Sequence, residues 1–200
     1  MKVLGIDPGL DKTGYGLIEN NNGNISVIEA GIIRTLYKDG LPARLEAIYL
    51  QIQDIARNYH PDICVVEQLY SHYKHRMTAV LMGHARGIIL CCCRQNGIAI
   101  KEYPAKTPKR VITGNGNASK LQVQRVVNKL LNIKDAARPF DVSDALALCL
   151  TYVHHLQACN PVSMPFLRAE SRGNPNRMPD LAIPAEACLL KQTGRSFIRT

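Results

Sequence analysis

No stretch of eighteen consecutive apolar residues occurs in this 200-residue chain, which argues against a transmembrane helix. The first apolar run, Val3 to Ile6, meets Asp7 too early to be the core of a signal peptide. A soluble, cytoplasmic protein with no membrane partner is the resulting expectation. A disulfide framework is missing too. The cysteines number seven, and Cys91, Cys92 and Cys93 are consecutive, so their side chains diverge on a helix and suit neither a zinc site nor a set of bridges. Reduced, mostly buried thiols in a reducing compartment are expected instead. The chain also lacks a P-loop, a dinucleotide-binding glycine fingerprint and a nucleophile elbow, which removes several common enzyme classes. There is no internal repeat.

What is present is a 46% hydrophobic composition, enough for a packed core, and a net charge of +9. The charge is unevenly placed. Residues 68–134 hold twelve Lys or Arg against the single acid Glu102, whereas residues 1–67 hold six bases and nine acids. A basic block of this kind reads either as a phosphate-binding surface or as an ordinary solvated face.

Along the chain, Lys2–Ile6, Thr13–Glu19 and Ile25–Arg34 read as three strands joined by turns at Pro8-Gly9 and around Gly23, an antiparallel meander. Leu45, Ile48, Ile52, Ile55 and Tyr59 then recur at helical spacing, with Pro42 in the first turn. Ile63–Val66 is a short apolar strand ending at Glu67, Met77–Arg94 a long helix, and Ile98–Ile100 the start of another strand. Helices follow over 105–113, from an N-cap at Ser119 to Leu131, and over Asp141–Leu156. A meander followed by alternating helices and strands predicts an α/β fold, a mixed sheet with helices on its faces. The pattern dissolves near Asn160. The chain therefore divides into a domain over 1–158 and a flexible, basic, Pro-containing tail over 159–200.

Four acids carry the candidate chemistry. Asp7 and Glu67 end the two strands expected at the sheet centre. Taken singly, Asp7 is equally a turn residue, and a buried Glu67 needs a cation to offset its desolvation. Asp141 and Asp144 are spaced i, i+3 and share one helix face. They suit a helix N-terminus, yet they lead straight into the apolar run Ala145–Leu150, where two like charges repel. Four carboxylates without a His or Cys partner suit Mg²⁺ or Mn²⁺ rather than zinc. Two such ions can activate water for phosphodiester hydrolysis. Lys109, Arg110 and Lys120 flank Gly114-Asn115-Gly116 near a helix start, a phosphate-binding arrangement. Tyr70 and Tyr73, interleaved with Lys74 and Arg76, could stack on exposed bases.

These residues resemble a known family. Gly5-Ile6-Asp7-Pro8-Gly9 with Thr13-Gly14-Tyr15-Gly16, Glu67-Gln68-Leu69-Tyr70, Gly83-His84-Ala85-Arg86-Gly87, Gly114-Asn115-Gly116 through Lys120, and Asp141-Val142-Ser143-Asp144-Ala145-Leu146-Ala147 are similar in order and spacing to the motifs of RuvC-type Holliday-junction resolvases. The likeness spans about residues 1–157. It implies an RNase H-like five-stranded sheet with helices on both faces, and symmetric metal-dependent nicking of two opposed strands at a four-way DNA junction. It also implies a homodimer built on the helix holding Gly83–Gly87, and the RuvA–RuvB branch-migration complex as partner. Asp7, Glu67, Asp141 and Asp144 become catalytic ligands of two Mg²⁺ ions, with Mn²⁺ able to substitute. Lys109 and Lys120 become substrate-contacting residues, and Tyr70, with Lys74 and Arg76 near it, a junction-stacking residue. Two positions depart from the family pattern: His75, where Asn is frequent, and His84, where Gln is common.

Overall fold

The computed structural model describes residues 1–69, 76–133 and 139–159, with only the backbone of Arg76 and Cys159. The chain order is β1 (Lys2–Asp7), β2 (Lys12–Asn21), β3 (Asn24–Arg34), α1 (Gly40–Tyr59), β4 (Ile63–Glu67), α2 (Arg76–Gln95), β5 (Ala99–Tyr103), α3 (Lys106–Thr113), α4 (Lys120–Leu130) and α5 (Phe140–Cys159). The expected tail lies outside the described residues from 160 onward.

The strands form one mixed sheet in the order β3-β2-β1-β4-β5, antiparallel from β3 to β1 and parallel from β1 to β5. The β2–β3 hairpin closes on Asn22 and Gly23, both at positive φ (52° and 96°), the conformation a tight hairpin requires. Pro42 sits in the first turn of α1, where its missing N–H costs nothing. Ser119 caps α4 reciprocally with Gln122, at 3.2 and 2.8 Å.

Because strand side chains alternate, each face of the sheet has its own core. Leu4, Ile6, Cys64 and Val66 pack with Ile48 and Ile52 of α1 and with Ala85, Ile89, Cys92 and Cys93 of α2. Val3, Ile63 and Val65 point the other way, onto Val123 and Val127 of α4 and Val142, Leu146 and Cys149 of α5. Cys64, Cys92, Cys93 and Cys149 are free and buried and Cys91 is free and exposed, as the scattered thiols suggested. Within α2, Met77–Gln95 is long and apolar enough by length and composition to cross a membrane. Its buried side, however, is committed to α1 and the sheet.

Helix α5 is buried almost all round and lies unusually close to the β1–β2 ladder. A methyl group at Gly5 would overlap the main-chain carbonyl of Ala145, and one at Gly14 the carbonyl of Asp141. One at Gly16 would stand 2.5 Å from Leu146 Cδ2. Three glycines on adjoining strands thus make a bare patch that admits the helix backbone. Gly5→Ala is expected to destabilise the fold by about 1–3 kcal/mol. Gly16→Ala should cost less, because its obstacle is a side chain that can turn. Urea unfolding of the two variants checks this, and equal losses would contradict it.

Candidate active site

Two registers place the first pair of acids. Ile6 is opposite Val66 in the parallel β1–β4 ladder, so Asp7 and Glu67 end neighbouring strands at the same level. By alternation both follow Val3 and Val65 toward the α5 face. The glycine patch places the second pair. Asp7 is opposite Gly14, and the Asp141 backbone lies on Gly14. The first turn of α5 therefore starts beside the end of β1, and Asp144 follows one turn later.

The backbone after Asp7 is pinned from two sides. Thr13 is fully buried, and its hydroxyl donates to the Gly9 carbonyl at 2.6 Å. Arg44 of α1, also buried, pairs with Asp11 and donates from Nε to the Thr35 hydroxyl at 2.9 Å, which itself bonds the Leu10 carbonyl at 2.5 Å. The turn that begins at Asp7 is thereby tied to β2 and α1.

The electrostatics show how closely the acids are coupled. Burial, then the charges of Glu67 and Asp144, push the Asp7 carboxyl from an ordinary 3.8 up to about 8, with Asp141 adding to the effect and Lys120 opposing it. Burial and Asp144 also raise Glu67, against the pull of Lys120 and Lys109. Lys120 Nζ lies 2.8 Å from Asp144 Oδ2. Burial alone would lower the Lys120 ammonium, but Asp144, Asp7 and Asp141 together outweigh it and raise it. Among the described residues no group of three or more His, Cys, Asp or Glu side chains is placed so as to hold a metal ion. The acids instead share one field, with a single ammonium inserted beside Asp144.

That arrangement suits hard divalent cations. The donors are all carboxylate oxygens, and the most buried of them is pushed up to about 8 by burial first and then by its acidic neighbours. An open cleft of about 490 Å³ adjoins Asp141, between Gly9–Lys12 on one side and Thr78, Leu81 and Met82 of α2 on the other.

The remaining candidates divide. Lys109, on α3, lies within electrostatic reach of Glu67. Lys120, expected to meet phosphate, is engaged with Asp144. Tyr70 and Lys74 lie outside the described residues, as do Tyr73 and His75, and so does the side chain of Arg76. Sequence reasoning missed Arg44 and assigned no role of its own to Arg86. The latter pairs with Glu102 of β5 and donates from Nε to the Glu67 carbonyl at 3.3 Å. The only available signal for that pair was Glu102, the lone acid of the basic block.

Comparison with known proteins identifies the family. Residues 3–152 match the family model described as crossover junction endodeoxyribonuclease RuvC. A crossover junction endodeoxyribonuclease RuvC from Rhodopirellula baltica is 40% identical over 160 residues, covering 80% of this chain and 89% of its own. One from Caldicellulosiruptor saccharolyticus is 41% identical over 154 residues, covering 76% and 92%. Among solved structures, Thermus thermophilus RuvC in complex with a Holliday junction substrate superposes with a TM-score of 0.74 at 26% identity, covering 80% of this chain and 96% of the other. The yeast mitochondrial Holliday junction resolvase shares the fold at 13% identity, with a TM-score of 0.54 and coverage of 80% and 83%. With residues 3–152 matching the family model and three quarters or more of its length aligned with these relatives at about 40% identity, the chain belongs to the RuvC family of crossover junction endodeoxyribonucleases.

Proposed function

We propose that this protein is a structure-specific endonuclease that resolves Holliday junctions by nicking two opposed DNA strands symmetrically, in recombination and repair. The observation that carries the reading is the field shared by Asp7, Glu67, Asp141 and Asp144 at the strand edge. A pure binder of a polyanion gains nothing from clustered negative charge. Family membership turns this site toward junction DNA, since the T. thermophilus relative is solved with a Holliday junction.

In this reading Asp7, Glu67, Asp141 and Asp144 would hold two Mg²⁺ ions, for which Mn²⁺ would substitute. Bound there, the ions supply Lewis acidity for phosphodiester hydrolysis. The chain's own residues do the rest. The short β1–β4 register fixes two carboxylates on rigid strand ends, and α5 fixes two more. Lys120 offsets part of the negative charge around Asp144 and, with Lys109, holds the DNA backbone near the scissile phosphate. Tyr70, Lys74 and Arg76 contact the junction.

Two active sites on one junction call for a homodimer. Met77, Val80, His84, Gly87 and Cys91 are exposed along α2 at alternating spacings of three and four. That seam suits pairing with a second copy. The RuvA–RuvB complex is the proposed partner, and the cytoplasm the proposed location. An RNase H-like nuclease acting on RNA or linear DNA is the alternative. Competition of a four-way junction against linear duplex and RNA–DNA hybrid, with nicks mapped on each strand in Mg²⁺, decides between them. Paired nicks on opposed strands of the junction support resolution, and preferential cutting of linear substrates rejects it.

Three outcomes follow from the site. Asp7→Asn is expected to cut nicking by roughly 10²–10³-fold while keeping junction affinity, as read in gel-based cleavage and binding assays. In chelator, the folded protein keeps a proton on Asp7 that the unfolded chain releases, between pH 3.8 and about 8. The parental Tm should therefore carry a component that falls as pH rises through that window. In Asp7→Asn this component should vanish, and added Mg²⁺ at pH 8 should raise only the parental Tm. Lys109→Ala should weaken binding to junctions of any sequence and reduce the salt slope of binding by about one ion, measured by titrating affinity against NaCl.

A further inference from the structure

The Glu67 side chain leaves β4 at its last residue, and the next described residues, Gln68 and Leu69, belong to no strand or helix. Glu67, like Asp7, thus stands where a strand gives way to irregular chain, but the bonds of Thr13 and Arg44 around the Asp7 turn do not reach it. Gln68 extends the β4–β5 ladder by one bond, from its N–H to the Tyr103 carbonyl at 2.9 Å. The other tie on this strand end comes from across the sheet. Arg86 of α2 donates from Nε to the Glu67 main-chain carbonyl at 3.3 Å. Its Nη2 pairs with the Glu102 carboxylate on β5. The Arg86 side chain is 16% exposed and that of Glu102 36%, so the guanidinium is largely withdrawn from water.

One planar guanidinium therefore joins three elements: the helix α2, the end of β4 and the edge strand β5. Glu102 aims it, since a carboxylate and a guanidinium fix each other's orientation in a way that a point-charge ammonium does not. The next residue, Gly87, lies on the exposed seam of α2. The same helix therefore presents a pairing surface outward and this clamp inward.

We propose that Arg86, oriented by Glu102, is a positioning residue for Glu67. It fixes the strand end from which that carboxylate reaches the divalent cations, and it touches neither substrate nor metal itself. This inference rests on Glu67 being a metal ligand. Groups that orient a ligand typically cost 10–100-fold in metal affinity or activity when removed.

The test uses the full-length chain and the variants Arg86→Gln, Arg86→Lys, Glu102→Gln and Glu67→Gln. Mn²⁺ affinity is measured by calorimetry without DNA, junction affinity in chelator, and nicking as a function of Mn²⁺ concentration. Arg86→Gln is expected to weaken Mn²⁺ binding and raise the Mn²⁺ half-saturation of nicking by about 10–100-fold, with junction affinity unchanged. Arg86→Lys keeps the charge but not the fork, and should fall between Arg86→Gln and the parent. Glu102→Gln leaves the bond to Glu67 but loosens its aim, and should shift half-saturation less than Arg86→Gln. Should Arg86→Gln fail to fold, Arg86→Lys carries the test. Mn²⁺ affinity and half-saturation within twofold of the parent in the folded Arg86 variants overturn the proposal. So does a loss of rate at unchanged half-saturation, which marks a general structural role. The Glu67→Gln control separates the two readings, because parental Mn²⁺ affinity in that variant rejects the metal role of Glu67 itself, whatever Arg86 does.

Discussion

Helix α5 can rest on the β1–β2 ladder only because no side chain intervenes at Gly5, Gly14 and Gly16. The contact is backbone to backbone at Gly5 against Ala145 and at Gly14 against Asp141. It fixes the height of the helix over the sheet and its position along the strands. Most of what makes the site follows from it. With Asp141 seated on Gly14 and Asp7 opposite Gly14 in the ladder, the helix start and the strand end are adjacent. A larger residue at Gly5 or Gly14 would push on the helix main chain and separate the acids it carries from those on the sheet.

That closeness has an electrostatic cost, which the fold does not remove. Four carboxylates at one edge repel each other, and burial makes the repulsion stronger. The protein answers with the ammonium of Lys120, bonded to Asp144, and more distantly with Lys109 acting on Glu67. These do not offset the site, and Asp7, by burial first and then by the charges of Glu67 and Asp144, is pushed up to about 8. A fold selected only for stability would replace at least one of these acids with an apolar residue. Their retention together makes sense if positive charge is to arrive from outside, as cations and not as further lysines.

Much of this was legible in the residues, and the limits have physical reasons. Asp7 and Glu67 could be read because an apolar strand that stops at a carboxylate is unusual. Asp141 and Asp144 could be read because a spacing of three puts both on one face of a helix that is otherwise apolar. The mixed sheet, antiparallel and then parallel, followed from the meander and from the short apolar strand at Ile63–Val66. The partner of Lys120 could not be read, because it depends on how α4 docks against α5, and a lysine at a helix start gives no sign of which acid it will meet. Arg44 and Arg86 were opaque for the same reason. Arg44 meets Asp11 across 33 residues and Arg86 meets Glu102 across 16, and no local period announces either. The glycines of β2 were visible as part of a motif. Their purpose, to admit a helix backbone from more than a hundred residues later, appears only once the helix is in place.

The two halves of the site are held by different kinds of force, and this bears on where the site is vulnerable. Asp141 and Asp144 belong to a twenty-residue helix buried on nearly every side, so their positions are secured by packing that no single polar contact can undo. Asp7 ends a central strand flanked by partners on both sides and is followed by a turn that Thr13 and Arg44 pin. Glu67 has the least support of the four, being the last residue of a five-residue strand whose outer neighbour β5 is the edge of the sheet. Side-chain hydrogen bonds are needed where packing is thinnest, and Arg86 reaches this acid's strand end. Since Arg86 stands on the helix whose outer face is proposed to pair with a second copy, the least secured acid would also be the one tied most directly to the surface that sets two active sites at a fixed distance.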